Sequence, residues 1–196
     1  FLAYGEELRD VFAKRIENNL WLSNATKQQA LYKLENMQFY VGGPDEWYDE
    51  YTADVKGELL VDDIIELKST RSRIIEATIG KDSRKESMML AMYSTQGESL
   101  NVVNATYSPQ GNALVIYPSF MMAPEYSATM DAGKMYATFY VFGHEMTHGF
   151  DLVGSQFDAF GYETDWWTPE DRSKFETLAE DFSAQIGTFE VAPGVY

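Results

Sequence analysis

The sequence predicts an α+β protein that is mainly helical, with one small β-hairpin. Three observations carry that reading. Apolar residues recur at helical spacing over residues 8–20, 60–75 and 175–186. Two short runs rich in β-branched residues, 100–107 and 113–117, flank a Ser-Pro-Gln-Gly-Asn loop. The apolar run 135–150 is too long for a strand and carries no turn signal, so it reads as a buried helix despite the strand-like Ala137-Thr138-Phe139-Tyr140-Val141-Phe142 within it.

Taken in order, Leu8, Val11, Phe12, Ile16 and Leu20 share one face of a first helix over the opening 20 or so residues. Trp21-Leu22-Ser23-Asn24 interrupts it and offers a polar cap for a second helix carrying Leu31, Leu34 and Met37, which Gly42-Gly43-Pro44 ends. Trp47, Tyr48 and Tyr51 read as packing residues in an acidic connection. Leu60, Ile64, Leu67, Arg71, Ile74 and Ile75 line a long third helix closed by Gly80, with Lys68, Arg71 and Arg73 solvated or ion-paired on it. Met88-Met89-Leu90-Ala91-Met92 reads as core filling.

The hairpin follows, its second strand stopped by Pro118, and Pro124 and Gly133 punctuate the approach to the long apolar run. Beyond that run, 151–154 and 158–161 are turn material. Thr168-Pro169-Glu170-Asp171 is a helix start: threonine at the cap, proline at the first helical position, acids at the positive end. Phe175, Leu178, Ala179, Phe182 and Ile186 mark a buried stripe ended by Gly187. With no repeat and no flexible linker, the expected organisation is a helical segment over 1–98 running on into a second portion over 99–196, as one continuous domain.

Composition narrows the function. Fifteen basic against 31 acidic residues give a net charge of −16, which repels phosphates and excludes nucleic acid as a natural partner. No apolar stretch is long enough for a membrane span. Zero cysteines exclude disulfides and thiolate metal ligands, without fixing a compartment. The chain opens Phe1-Leu2-Ala3-Tyr4, with neither an initiator methionine nor a signal peptide, which reads as a processed or excised piece.

The chemistry lies in Gly143-His144-Glu145-Met146-Thr147-His148-Gly149, which holds the only two histidines. On a helix His144 and His148 stand one above the other and can chelate one tetrahedral ion, with zinc the natural choice. Glu145 is then free to accept a proton from a metal-bound water and pass it to a leaving amine, the chemistry of peptide hydrolysis. Such a short pattern also arises by chance, but a chance match on a solvated helix has charged neighbours, and here the flanks are uncharged. A third protein ligand has to be a carboxylate, since both histidines are used. Glu163, Glu170, Glu176 and Glu180 follow the motif; Glu180 is the best placed, but Glu180-Asp181 reads better as part of a solvated face.

The run 144–151, then Gln156-Phe157-Asp158 and Asp165-Trp166-Trp167-Thr168, resembles the neprilysin / endothelin-converting-enzyme family of zinc metallopeptidases. Val103-Asn104-Ala105-Thr106-Tyr107 is similar to that family's Asn-Ala-x-Tyr substrate-binding motif, and 112–118 to its next strand. Trp21, Thr26-Lys27, Ala30, Lys33-Leu34, Met37, Pro44-Asp45 and Trp47 extend the likeness upstream. The resemblance implies a zincin-like, thermolysin-like catalytic portion, with His144 and His148 as zinc ligands and Glu145 as general base. It further implies that Asn104 and Ala105 bind the backbone of a peptide substrate and that Asp151 orients a ligand histidine.

The chain departs from the family at Leu152, where a second acid is usual, and at Tyr136 and Phe139, where a glycine-rich turn is expected. The family's third ligand, a glutamate in Glu-x-x-x-Asp, and its oxyanion-binding histidine would lie beyond Tyr196, in the remainder of a parent peptidase. The chain alone is therefore expected to bind zinc weakly. The competing reading is a catalytically inactive domain that keeps the scaffold and binds peptides or a partner; the retained Glu145 favours the enzyme.

Overall fold

The computed structural model describes residues 2–43, 53–77, 79–81, 102–121, 132–190 and 192, with backbone alone at 121 and 132–139. It is mainly helical around one small mixed sheet. The helices are α1 (Leu2–Glu17), α2 (Asn24–Glu35), α3 (Leu60–Ala77), α4 (Pro118–Met121), α5 (Ala132–His148) and α6 (Pro169–Ile186); the strands are β1 (Gln38–Val41), β2 (Ala105–Ser108) and β3 (Ala113–Ile116). No helix among the described residues is long and apolar enough to cross a membrane.

The caps form as the sequence dictates. The Ser23 hydroxyl accepts from the Thr26 amide at the start of α2, and the Thr168 hydroxyl accepts from the Asp171 amide at the start of α6, with Pro169 in its first turn. Asp171 is 1% exposed and accepts a 2.9 Å bond from the Ser23 amide, joining the two helix starts. Desolvation pushes its carboxyl up, but bonds from Ser23, Thr26 and Thr168 outweigh it and hold the group well below the usual carboxylate range.

The hairpin forms as predicted: β2 pairs antiparallel with β3, Ala105 opposite Ile116 and Ser108 opposite Ala113. The turn between them places Asn112 at φ 44°, a left-handed conformation that asparagine tolerates. The other neighbour of β3 was not foreseen. Residues Gln38–Val41 form β1, parallel to β3 with Gln38 opposite Ala113, so the order is β1-β3-β2. The second helix therefore stops at Glu35, before Met37 and well before Gly42, because its chain turns into the sheet. A four-residue strand whose partner lies far along the chain leaves no local hairpin signal. With neighbours on both sides, β3 is buried throughout.

One apolar cluster unites the two halves of the chain: Ile16, Ala30, Leu34, Met37, Ala105, Leu114, Ile116, Phe142 and Met146. Other expected burials are not found. Leu20 is 99% exposed because α1 ends at Glu17 and the helical face no longer applies. On α3 only Thr70 and Ile74 are buried, and Leu60, Ile64, Leu67 and Ile75 face outward. On α6 Leu178, Phe182 and Ile186 are likewise exposed, while Phe175 stacks against Trp21 and Trp167. Spacing shows that a helix has an apolar face, not that a neighbour covers it. The basic cluster on α3 is partly ion-paired, through Arg73 and Glu66 at 2.9 Å. Trp47, Tyr48, Tyr51, 88–92 and Pro124 lie outside the described residues.

Candidate metal centre

The last two turns of α5 are divided between two faces. Phe142 and Met146, four residues apart, are 0% and 1% exposed in the core cluster, which anchors the helix against the sheet. His144 and His148, two residues further on in the same register, turn to the open side; His144 is exposed and His148 half-buried. Glu145 lies between the faces and is buried.

His144 Nε2 and His148 Nε2 approach to 3.2 Å, with the rings edge to face. Two nitrogens each about 2.0–2.1 Å from a tetrahedral zinc ion stand roughly 3.3 Å apart, so this spacing fits the ion without rearrangement. The other nitrogen of His148 fixes its tautomer. Nδ1 donates to Asp151 Oδ2 at 2.7 Å, which leaves the Nε2 lone pair free toward His144. Asp151 Oδ1 accepts from the amides of Val153 and Gly154, both at 2.8 Å. Desolvation pulls the Asp151 carboxyl up, but the His148 bond and these two amides hold it below the usual range. Glu145 shifts the other way: burial raises it, against the attraction of His148 and His144.

His144, Glu145 and His148 offer ligand atoms within 4.8 Å of one another. Among the described residues no further carboxylate joins them. Glu163 and Glu176 instead line a separate cleft with Leu152, Gln156, Thr164, Asp165 and Arg172, and Glu170 and Glu180 are exposed on α6. Ala105 opens β2, and Asn104 immediately precedes it. Ala105 packs in the cluster that holds Phe142 and Met146, and the Asn104 carbonyl accepts from the Tyr117 amide at 3.1 Å. Among the described residues β2 is an outer strand of the sheet, and α5 packs against it.

Sequence reasoning passed over Lys33. It is 1% exposed, and its ammonium donates to the carbonyls of Gly154 and Phe157, both at 2.6 Å. A signal was present: Ala30, Lys33, Leu34 and Met37 form one helical stripe, and a lysine within it requires buried acceptors. Asn112 was also missed. Its side chain is fully buried, bonding Tyr107 Oη and the carbonyls of Lys33 and Ala159.

Residues 104–195 match Peptidase family M13. The chain is 28% identical to the neutral endopeptidase of Lactococcus lactis subsp. cremoris, over 94% of this chain and 28% of that protein. It is 29% identical to neprilysin-1 of Trittame loki, over 94% of this chain and 26% of that protein. Its fold superposes on the crystal structure of PepO from Lactobacillus rhamnosis HN001 (DR20) with a TM-score of 0.71 at 27% identity, covering 94% of this chain and 28% of that one. The chain thus spans little more than a quarter of the length of these relatives. Mainly helical around a small mixed sheet, with His-Glu-x-x-His closing the apolar helix α5, the chain has a zincin-like architecture, and its second half resembles Peptidase family M13, as its likeness to neprilysins and neutral endopeptidases also indicates.

Proposed function

We propose that this chain carries the metal-binding and proton-transfer part of a zinc-dependent endopeptidase that hydrolyses peptide bonds in oligopeptides. The observation that carries the reading is the pairing of His144 and His148 at 3.2 Å, with Asp151 fixing the His148 tautomer. His144 and His148 hold the ion, and the third protein ligand is a carboxylate from outside the described residues. When bound, zinc polarises the scissile carbonyl and acidifies its water.

The chain's own residues do the rest. Glu145 takes the proton from the attacking water and delivers it to the departing amine; burial, which raises its proton affinity, supports that role. Asn104 and Ala105 hold the substrate backbone as an added strand along β2. Asp151 keeps His148 oriented.

The test is Glu145→Gln in the full-length protein, read by zinc content and cleavage of a peptide library. Glutamine keeps the shape and loses the base, so zinc should stay while turnover falls by roughly 10²–10⁴-fold. Near-normal turnover would remove Glu145 from the mechanism. An unaltered protein that retains zinc but cleaves no peptide would support the inactive peptide-binding reading instead.

A further inference from the structure

The site above accounts for Asp151 but not for what holds Asp151 in place. The carboxylate lies on the short segment that leaves α5, and its Oδ1 is fixed by the amides of Val153 and Gly154. That segment packs against the end of the metal helix so closely that a Cβ on Gly154 would collide with the carbonyl of His148. Its Gly154 and Phe157 carbonyls converge on one group, the Lys33 amine.

Lys33 comes from α2, on the far side of the sequence. It is sealed by Phe150 and Trp166, whose rings lie 5.7 and 5.9 Å from its nitrogen. Asp151 and Asp158 are its nearby anionic neighbours. A wholly buried lysine is costly unless its donors are used. Here two of them tie the ends of the 154–157 turn together, next to the segment that carries Asp151. The bonds run in series: Lys33 to the Gly154 carbonyl, the Gly154 amide to Asp151, and Asp151 to His148.

We infer that Lys33 is a positioning residue for the metal centre, clamping the turn after α5 so that Asp151 meets His148 Nδ1 and aims Nε2 at the ion. The inference rests on the proposed metal-binding role of His144 and His148, and its test separates the two.

With only two histidines in the chain, the imidazole N–H region of a proton spectrum is simple to assign. In the metal-free chain, the His148 Nδ1–H bonded to Asp151 should give a resolved downfield signal. Lys33→Met, close in volume but without donors, should keep the helical circular dichroism and lose or broaden that signal. Its zinc and cobalt affinity should fall by roughly 10–100-fold, the usual scale for groups that orient a ligand histidine. An unchanged signal with unchanged metal affinity in a folded Lys33→Met would overturn the inference and leave Lys33 a packing residue. If that variant does not fold, the unaltered chain provides the measurement: zinc addition should shift the 15N resonance of the Lys33 amine, and its indifference to zinc would equally overturn the idea. A full-length protein that binds neither metal would sink the metal reading, while the downfield signal in Lys33→Met still decides the clamp.

Discussion

His148 Nδ1 donates to Asp151 Oδ2 at 2.7 Å, and that bond makes His148 the more constrained of the two histidines. Asp151→Asn keeps an acceptor in place but removes the charge that favours the Nδ1–H tautomer. Zinc affinity is expected to fall by roughly 10–100-fold, with the helical content unchanged. Competition against a fluorescent chelator measures it; wild-type affinity would show that His148 needs no orientation.

Asn104 stands at the opening of the outer strand β2, beside Ala105 in the shared core. In the full-length enzyme Asn104→Ala is expected to lower kcat/KM by roughly 2–10-fold, the scale of one neutral hydrogen bond, while zinc content stays constant. Metal loss in the variant would place Asn104 in the support of the ion rather than at the substrate.

Gly154 carries a steric prediction. A methyl group there has to displace the His148 carbonyl, and overpacking of this kind costs about 1–3 kcal/mol. Gly154→Ala should unfold at lower urea concentration and bind zinc more weakly than the parent. If it is as stable as the parent, the turn is looser than its contacts show.

Lys33 gives a pH dependence with a definite sign. Burial lowers its amine from 10.5 to about 7, against the opposing attraction of Asp158 and Asp151. Between those values the unfolded chain holds a proton that the folded chain has released. The group's contribution to stability is therefore flat below about pH 7 and rises from there toward 10.5. Urea unfolding of the native chain and of Lys33→Met at pH 6, 7.5 and 9 should show the difference moving in favour of the native chain above pH 7, by at most about 1.4 kcal/mol per pH unit. A constant difference would mean that Lys33 titrates as an exposed lysine. In either protonation state the amine keeps two N–H donors for the Gly154 and Phe157 carbonyls.

What the sequence made legible was local. Ser23 and Thr168 signal their helix starts through side chains that cap within three residues, and the Ser108–Asn112 turn signals the hairpin because both strands adjoin it. His144 and His148 are legible for the same reason, since one helical turn joins them. The features that escaped depend on distant partners. Gln38–Val41 is a strand only because Ala113–Ile116 lies beside it, and Lys33 is buried only because Gly154 and Phe157 present carbonyls to it. The apolar stripes of α3 and α6 failed in the opposite sense, since periodicity announces a face without naming what lies against it.

The parallel pairing of β1 with β3 has a consequence for how the protein is made. The β2–β3 hairpin can close locally, but β3 also pairs with β1, a segment synthesised far earlier. During translation, Gln38–Val41 has to wait without its β3 partner until Ala113–Ile116 emerges, because no hairpin can close a parallel pair locally. Contacts of such long sequence separation form late and slowly. The nascent chain is thus most vulnerable to mispairing and aggregation in the interval between those two strands, and a chaperone that shields an exposed strand edge would act there.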